Sequence, residues 1–99
     1  MINIVMNTEF VIVLCDVHCQ GQLPARYRAF VSDELFAERT WDWHNVYLEE
    51  MFQIQAVPGK YKIAYKNLDH AELVIQNWRV ELGNAVIDQQ GNLEIHNAD

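Results

Sequence analysis

The sequence predicts an all-β protein, an antiparallel two-sheet sandwich of jelly-roll-like shape with about eight short strands. Three observations predict it. Apolar residues recur with a period of two through most of the chain, the spacing that puts every second side chain on one face of a sheet. Turn-forming residues interrupt these runs at short, even intervals. The runs themselves are rich in Val, Ile, Tyr, Phe and Trp, which pack well on a pleated surface. With 99 residues, the chain has the size of one domain spanning 1–99, large enough for a single core between two layers.

Taken in order, Ile2, Ile4 and Met6 alternate with Asn3, Val5 and Asn7, which predicts a short first strand ending at Asn7-Thr8. It carries no charge and no Pro to discourage edge pairing, so it should add to another chain's sheet or be covered by a partner. Phe10 to Val17, FVIVLCDV, is almost continuously apolar, as expected of a strand covered on both faces or lying at the centre of a sheet. Gln20-Gly21-Gln22-Leu23-Pro24 then breaks the pattern and marks a loop.

Arg26 to Trp41, RYRAFVSDELFAERTW, predicts a β-hairpin with its tip at Ser32-Asp33-Glu34. Tyr27, Ala29 and Val31 form its core face. On the returning arm Leu35, Ala37 and Trp41 share one parity and Phe36, Glu38 and Thr40 the other, so the register at the tip decides which set is buried. The loop that follows holds Asp42, Trp43 and His44. Simple alternation puts Trp41 in the core, whereas Trp43, beyond Asp42, is the candidate anchor for a protein interface or a sugar ring.

From Val46 the alternation resumes. Leu48, Phe52, Ile54 and Ala56 share a parity opposite to Glu49, Met51, Gln53 and Gln55, which predicts a strand with one wet face in preference to a helix. Glu49 and Glu50 should then face opposite sides, and an inward Glu50 needs a partner such as Arg39. After the Pro58-Gly59 turn, Tyr61, Ile63 and Tyr65 alternate with Lys60, Lys62, Ala64 and Lys66, a strand with a basic outer face. Asn67 to His70 is a turn. Leu73 and Ile75 are followed by Trp78, Val80 and Leu82 on the opposite parity, which predicts a bulge or bend at Asn77. Gly83-Asn84 turns the chain, and Ala85–Ile87 with Leu93–Ile95 reads as a terminal hairpin.

Composition narrows the function classes. A formal charge of −7 with only seven Lys and Arg argues against nucleic acid as a partner, since such binding draws on cations that displace counterions. No stretch approaches about 18 uninterrupted apolar residues, so no membrane span is expected. Cys15 and Cys19, four apart on a strand, would be separated by about 13 Å, beyond disulfide reach. Reduced thiols are expected, and with no basic residue ahead of the first apolar run no signal peptide is expected.

Chemistry is poorly supplied. Cys15-Asp16-Val17-His18-Cys19 holds residue types that zinc prefers, but a strand puts the two cysteines on the face opposite Asp16 and His18. Ser32 is the only serine, and the four glycines form no phosphate loop and no nucleophile elbow. The expectation is a non-enzymatic protein with no cofactor.

RYRAFVSDELFAERTWDW, YLEEMFQIQAVPGKYKIAYKNL and AELVIQNWRV together resemble a group of small uncharacterised proteins of tailed bacteriophages. There a Tyr-rich strand, an acidic hairpin tip, an ERTW-like arm and a Pro-Gly turn recur in that order. The strand order is also similar to that of jelly-roll carbohydrate-binding modules. The first resemblance implies an accessory protein of the virion, made in the host cytoplasm. It implies a capsid decoration or cement protein whose partner is a viral structural protein such as the major capsid protein, with homo-oligomers as a further expectation. Trp43, Asp42, His44, Ile2, Ile4 and Met6 are its candidate contact residues. The second implies a glycan-binding module, calcium-assisted or not, and modulation of a host protein is a further alternative.

Overall fold

The computed structural model describes residues 7–21, 23–42, 46–69 and 71–97. Eight strands follow one another: β1 Glu9–Gln20, β2 Ala25–Val31, β3 Glu34–Trp41, β4 Leu48–Ala56, β5 Gly59–Asn67, β6 Glu72–Leu82, β7 Ala85–Ile87 and β8 Asn92–Ile95. They form a three-stranded sheet in the order β4-β1-β6 and a five-stranded sheet in the order β3-β2-β5-β8-β7, with every pairing antiparallel. The predicted two-sheet sandwich is therefore the observed fold. Among the described residues no helix is long and apolar enough to cross a membrane. The expected first strand, Ile2 to Met6, lies outside the described residues.

The core is filled from the inner faces of both sheets. β1 contributes Val11, Val13, Cys15, Val17 and Cys19, β4 contributes Phe52 and Ile54, and the opposing sheet answers with Tyr27, Ala29, Trp41, Ile63, Leu93 and Ile95. Burying one Val, Leu, Ile or Phe side chain is worth about 1.5–3 kcal/mol, so this shared layer is what holds the sheets together. β1 is the central strand of its sheet, paired with β4 on one side and β6 on the other, as its apolar run predicts. Both thiols are free and buried, on the face opposite Asp16 and His18.

The hairpin forms as expected, with Tyr27 and Ala29 buried. Its two-residue tip needs positive φ at both positions, and Ser32 and Asp33 adopt 48° and 71°. The tip is tied to β5: the Ser32 N–H donates to the Lys62 carbonyl at 2.8 Å. One expectation needs correction. The pairing slips between Ala29↔Ala37 and Phe30↔Leu35, so Phe36 is an extra residue and parity does not carry from Leu35 to Trp41. Leu35 is therefore exposed, Trp41 is buried, and Phe36 packs its ring 4.8 Å from Phe52.

Asn77, at φ 58°, is the predicted bulge in β6, and it lets Ile75 and Trp78, of opposite parity, both pack on the core. A second irregularity, between Ile12 and Val13, then turns Leu82 outward. Leu82 is half exposed rather than part of the core series of Trp78 and Val80. Gly83, at φ 105°, closes this end; a Cβ there would lie 2.5 Å from the Phe10 carbonyl oxygen.

Candidate functional site

Four places gather residues with chemical or binding capacity. The first lies between the sheets. Tyr65 donates its hydroxyl to Glu50 Oε1 at 2.9 Å, Tyr27 donates to Glu50 Oε2 at 3.0 Å, and Arg39 Nε approaches the same oxygen at 3.9 Å. The Cys15 sulfur lies 3.4 Å from the Tyr65 hydroxyl oxygen, within hydrogen-bond reach. Glu50 and Cys15 come from the three-stranded sheet, and Tyr27, Tyr65 and Arg39 from the other. Sequence alternation separates Glu50 from Glu49 and names Arg39 as a partner should Glu50 be inward; that it is inward, with the two tyrosines as its closer partners, is what alternation does not reveal.

Burial, above all, holds the Cys15 thiol up at about 11, with the neighbouring Glu50 carboxylate adding to it against the Tyr65 hydrogen bond. Burial likewise pushes both tyrosine hydroxyls above their ordinary range, reinforced by Glu50 for Tyr27 and by Cys15 for Tyr65. A nucleophilic cysteine needs its thiolate favoured. Here it is disfavoured, and the cluster acts as a hydrogen-bonded strut between sheets.

The second place is the end of the sandwich where β3 leads into β4. Trp41 is buried, as expected, and Asp42 is exposed at the start of the loop. Trp43 and His44, and likewise Ile2, Ile4 and Met6, lie outside the described residues. His18, on the outer face of β1, holds the loop's far side: its Nδ1 donates to the Val46 carbonyl at 2.6 Å, and its ring stacks on Tyr47 at 4.8 Å and meets Trp41 edge-on at 6.5 Å.

The third place is the outer face of the three-stranded sheet. The register sets Met51, Leu14 and Arg79 in one row across β4, β1 and β6, Gln53, Ile12 and Leu82 in the next, and Gln55 beside Phe10 in the third. Phe10, Met51 and Leu82 are 46%, 47% and 50% exposed, so this is an open apolar surface and not a second core. Among the described residues no other strand lies over it. Below it Arg79 binds Asp16 at 3.4 Å and Glu49, and Asn77 donates to Asp16 at 2.9 Å, which separates the apolar rows from the His18 end.

The fourth place is the outer face of the five-stranded sheet, which carries Arg26, Arg28, Lys60, Lys62 and Lys66, five of the chain's seven cations. Arg28 pairs with Glu38 at 2.7 Å and Arg26 with Asp69 at 3.5 Å. A shallow groove of about 750 Å3 runs past Lys60 and Lys62 beside Val86, Asp88 and Glu94. Among the described residues no three metal-ligating side chains come together. Compared with protein families, curated proteins and solved structures, the chain matches none.

Proposed function

We propose that the protein is a non-enzymatic binding module that docks the outer face of its three-stranded sheet onto a larger protein assembly, in the manner of an accessory or decoration protein on a phage particle. One observation carries the reading: Phe10, Met51 and Leu82 stand about half exposed around the partly buried Ile12 and the buried Leu14, on a face over which no described strand lies. Exposed apolar area of this kind mostly marks interaction sites. The Arg79, Asp16 and Glu49 cluster at its border supplies the polar rim that surrounds the apolar centre of many interfaces. The virion as the assembly comes from the resemblance to phage proteins, and the major capsid protein is its proposed partner.

The test is co-sedimentation of the purified protein with virions and with shells of major capsid protein alone. The reading predicts that it pellets with both, at a constant ratio to the shell protein. A protein left in the supernatant while particles pellet contradicts it.

A further inference from the structure

The two sheets differ in length along one flank. β6 has 11 residues, whereas β8 and β7, which lie on that flank in the opposing sheet, have four and three. β8 pairs with β5 only from Gly59↔Ile95 to Lys62↔Asn92, after which the Ile63 N–H still reaches the Gly91 carbonyl at 2.9 Å. From there to Asn67, β5 is paired through β2 alone. Alternate residues of a strand turn their N–H and C=O to opposite sides. Ile63 points its N–H toward Gly91 and Lys62 turns its carbonyl toward Ser32, so Tyr65 and Asn67 aim their backbone groups at the side without a strand.

A cleft of about 580 Å3 lies there, between β5 and β6. Its inner wall is Leu73, Ile75 and Trp78. Leu73 and Ile75 pack on the core yet remain half-buried, because no strand of the other sheet extends over them. One end is closed by Gln89, whose side chain accepts from the Trp78 N–H at 3.1 Å and donates to its carbonyl at 2.9 Å.

We propose that this cleft is a vacant strand position, filled in the working assembly by residues 2–6 of a second copy of the chain. The lengths are compatible: four residues, Ala64 to Asn67, lie beyond the last bond on this side, about 13 Å of strand, and five, Ile2 to Met6, carry the strand pattern, about 17 Å when extended. The chemistry agrees as well. Ile2, Ile4 and Met6 would face the apolar inner wall of Leu73, Ile75 and Trp78, while the uncharged Asn3 would turn toward the polar rim that holds Lys62, Glu72 and Gln90. Its backbone would complete the hydrogen bonds of Tyr65 and Asn67, the mode by which extended peptides extend a sheet.

Topology favours a second copy over the same one. The chain enters β1 next to β4, where the Thr8 hydroxyl accepts from Gln55 Nε2 at 3.0 Å, and β4 and β6 are on opposite sides of β1. The Gly83-Asn84 crossover and the β7–β8 hairpin occupy the flank between that end and the cleft. Reciprocal donation closes a dimer, and one-way donation gives a chain of copies.

The test measures oligomeric state and amide hydrogen exchange of the full chain across a concentration series, beside the variant Ile4→Lys, which changes no residue of the described core. The proposal predicts association in which the Tyr65 and Asn67 amides gain about tenfold protection or more as concentration rises. It also predicts that Ile4→Lys loses both effects with its β-sheet circular dichroism unchanged. A monomer at every concentration overturns it. So does association that leaves these two amides unprotected, or protection independent of concentration, which would mean that the chain's own segment or none fills the cleft.

Discussion

The two outer faces of the sandwich were built under the same constraint and ended up opposite in character. Each sheet must bury one face; an antiparallel sheet is free to wet the other. The five-stranded sheet does so with Arg26, Arg28, Lys60, Lys62 and Lys66, partly neutralised by Glu38 and Asp69. The three-stranded sheet instead leaves Phe10, Met51 and Leu82 about half exposed around Ile12 and a buried Leu14. Charge on an outer face is ordinary solvation, whereas rows of apolar side chains left in water carry a cost that folding alone does not explain. The difference therefore assigns the two parts different work in the proposed function: the layer between the sheets carries the fold, and the apolar outer face is the proposed docking surface.

That division can be broken most forcefully at the core. Phe52 is fully buried, with ring neighbours Phe36, Tyr65 and Trp78. Phe52→Ala should cost about 3–5 kcal/mol in denaturant melts, and a loss below 1 kcal/mol would mean that the sheets do not pack as described. Alkaline titration probes the same layer. The Cys15 thiol ordinarily ionises at 9.0 and is held up to about 11 when folded, so the folded state's advantage is complete below pH 9 and is lost as pH rises from 9 to 11. Stability should fall by roughly 2–3 kcal/mol across that window from this group alone, and Cys15→Ala should flatten that part of the curve.

Smaller effects sharpen the contrast. Tyr65→Phe removes the hydroxyl that joins Cys15 to Glu50 and should cost about 1–2 kcal/mol, because a partly buried carboxylate loses a donor. On the charged face, Arg28→Ala removes an exposed pair with Glu38 and should change stability by less than about 1 kcal/mol. A larger loss there would show that the five-stranded sheet depends on its outer charges.

Much of the architecture was legible in the sequence because period-two alternation and turn residues are local signals. The tip around Ser32-Asp33-Glu34, the bulge at Asn77 and the basic face of Lys60, Lys62 and Lys66 follow from spacing, whereas alternation puts Glu49 and Glu50 on opposite faces without deciding which is inward. What spacing does not carry is the shift of parity at a bulge: Phe36 and the irregularity after Ile12 turn Leu35 and Leu82 outward. Nor does it distinguish a strand covered on both faces from one whose second face is open, since Phe10, Ile12 and Leu14 look alike in either case. The gathering of cations depends on β2 lying beside β5, whose paired residues are more than thirty apart in the chain. Net charge therefore described the whole molecule and hid its basic face. The candidate contacts at Trp43, His44, Ile2, Ile4 and Met6 lie outside the described residues, and Asp42, which is described, is an exposed loop residue.

The most direct measurement compares two doubly substituted proteins for co-sedimentation with phage particles, after melts establish that both are folded. In Phe10→Lys/Met51→Lys the apolar face is charged; in Lys60→Glu/Lys66→Glu the basic face is reversed. If the apolar face is the docking surface, the first pair weakens binding by about 2 kcal/mol or more, roughly thirtyfold, and the second leaves it within a fewfold of the parent. Binding that survives the first pair and fails in the second would contradict the account.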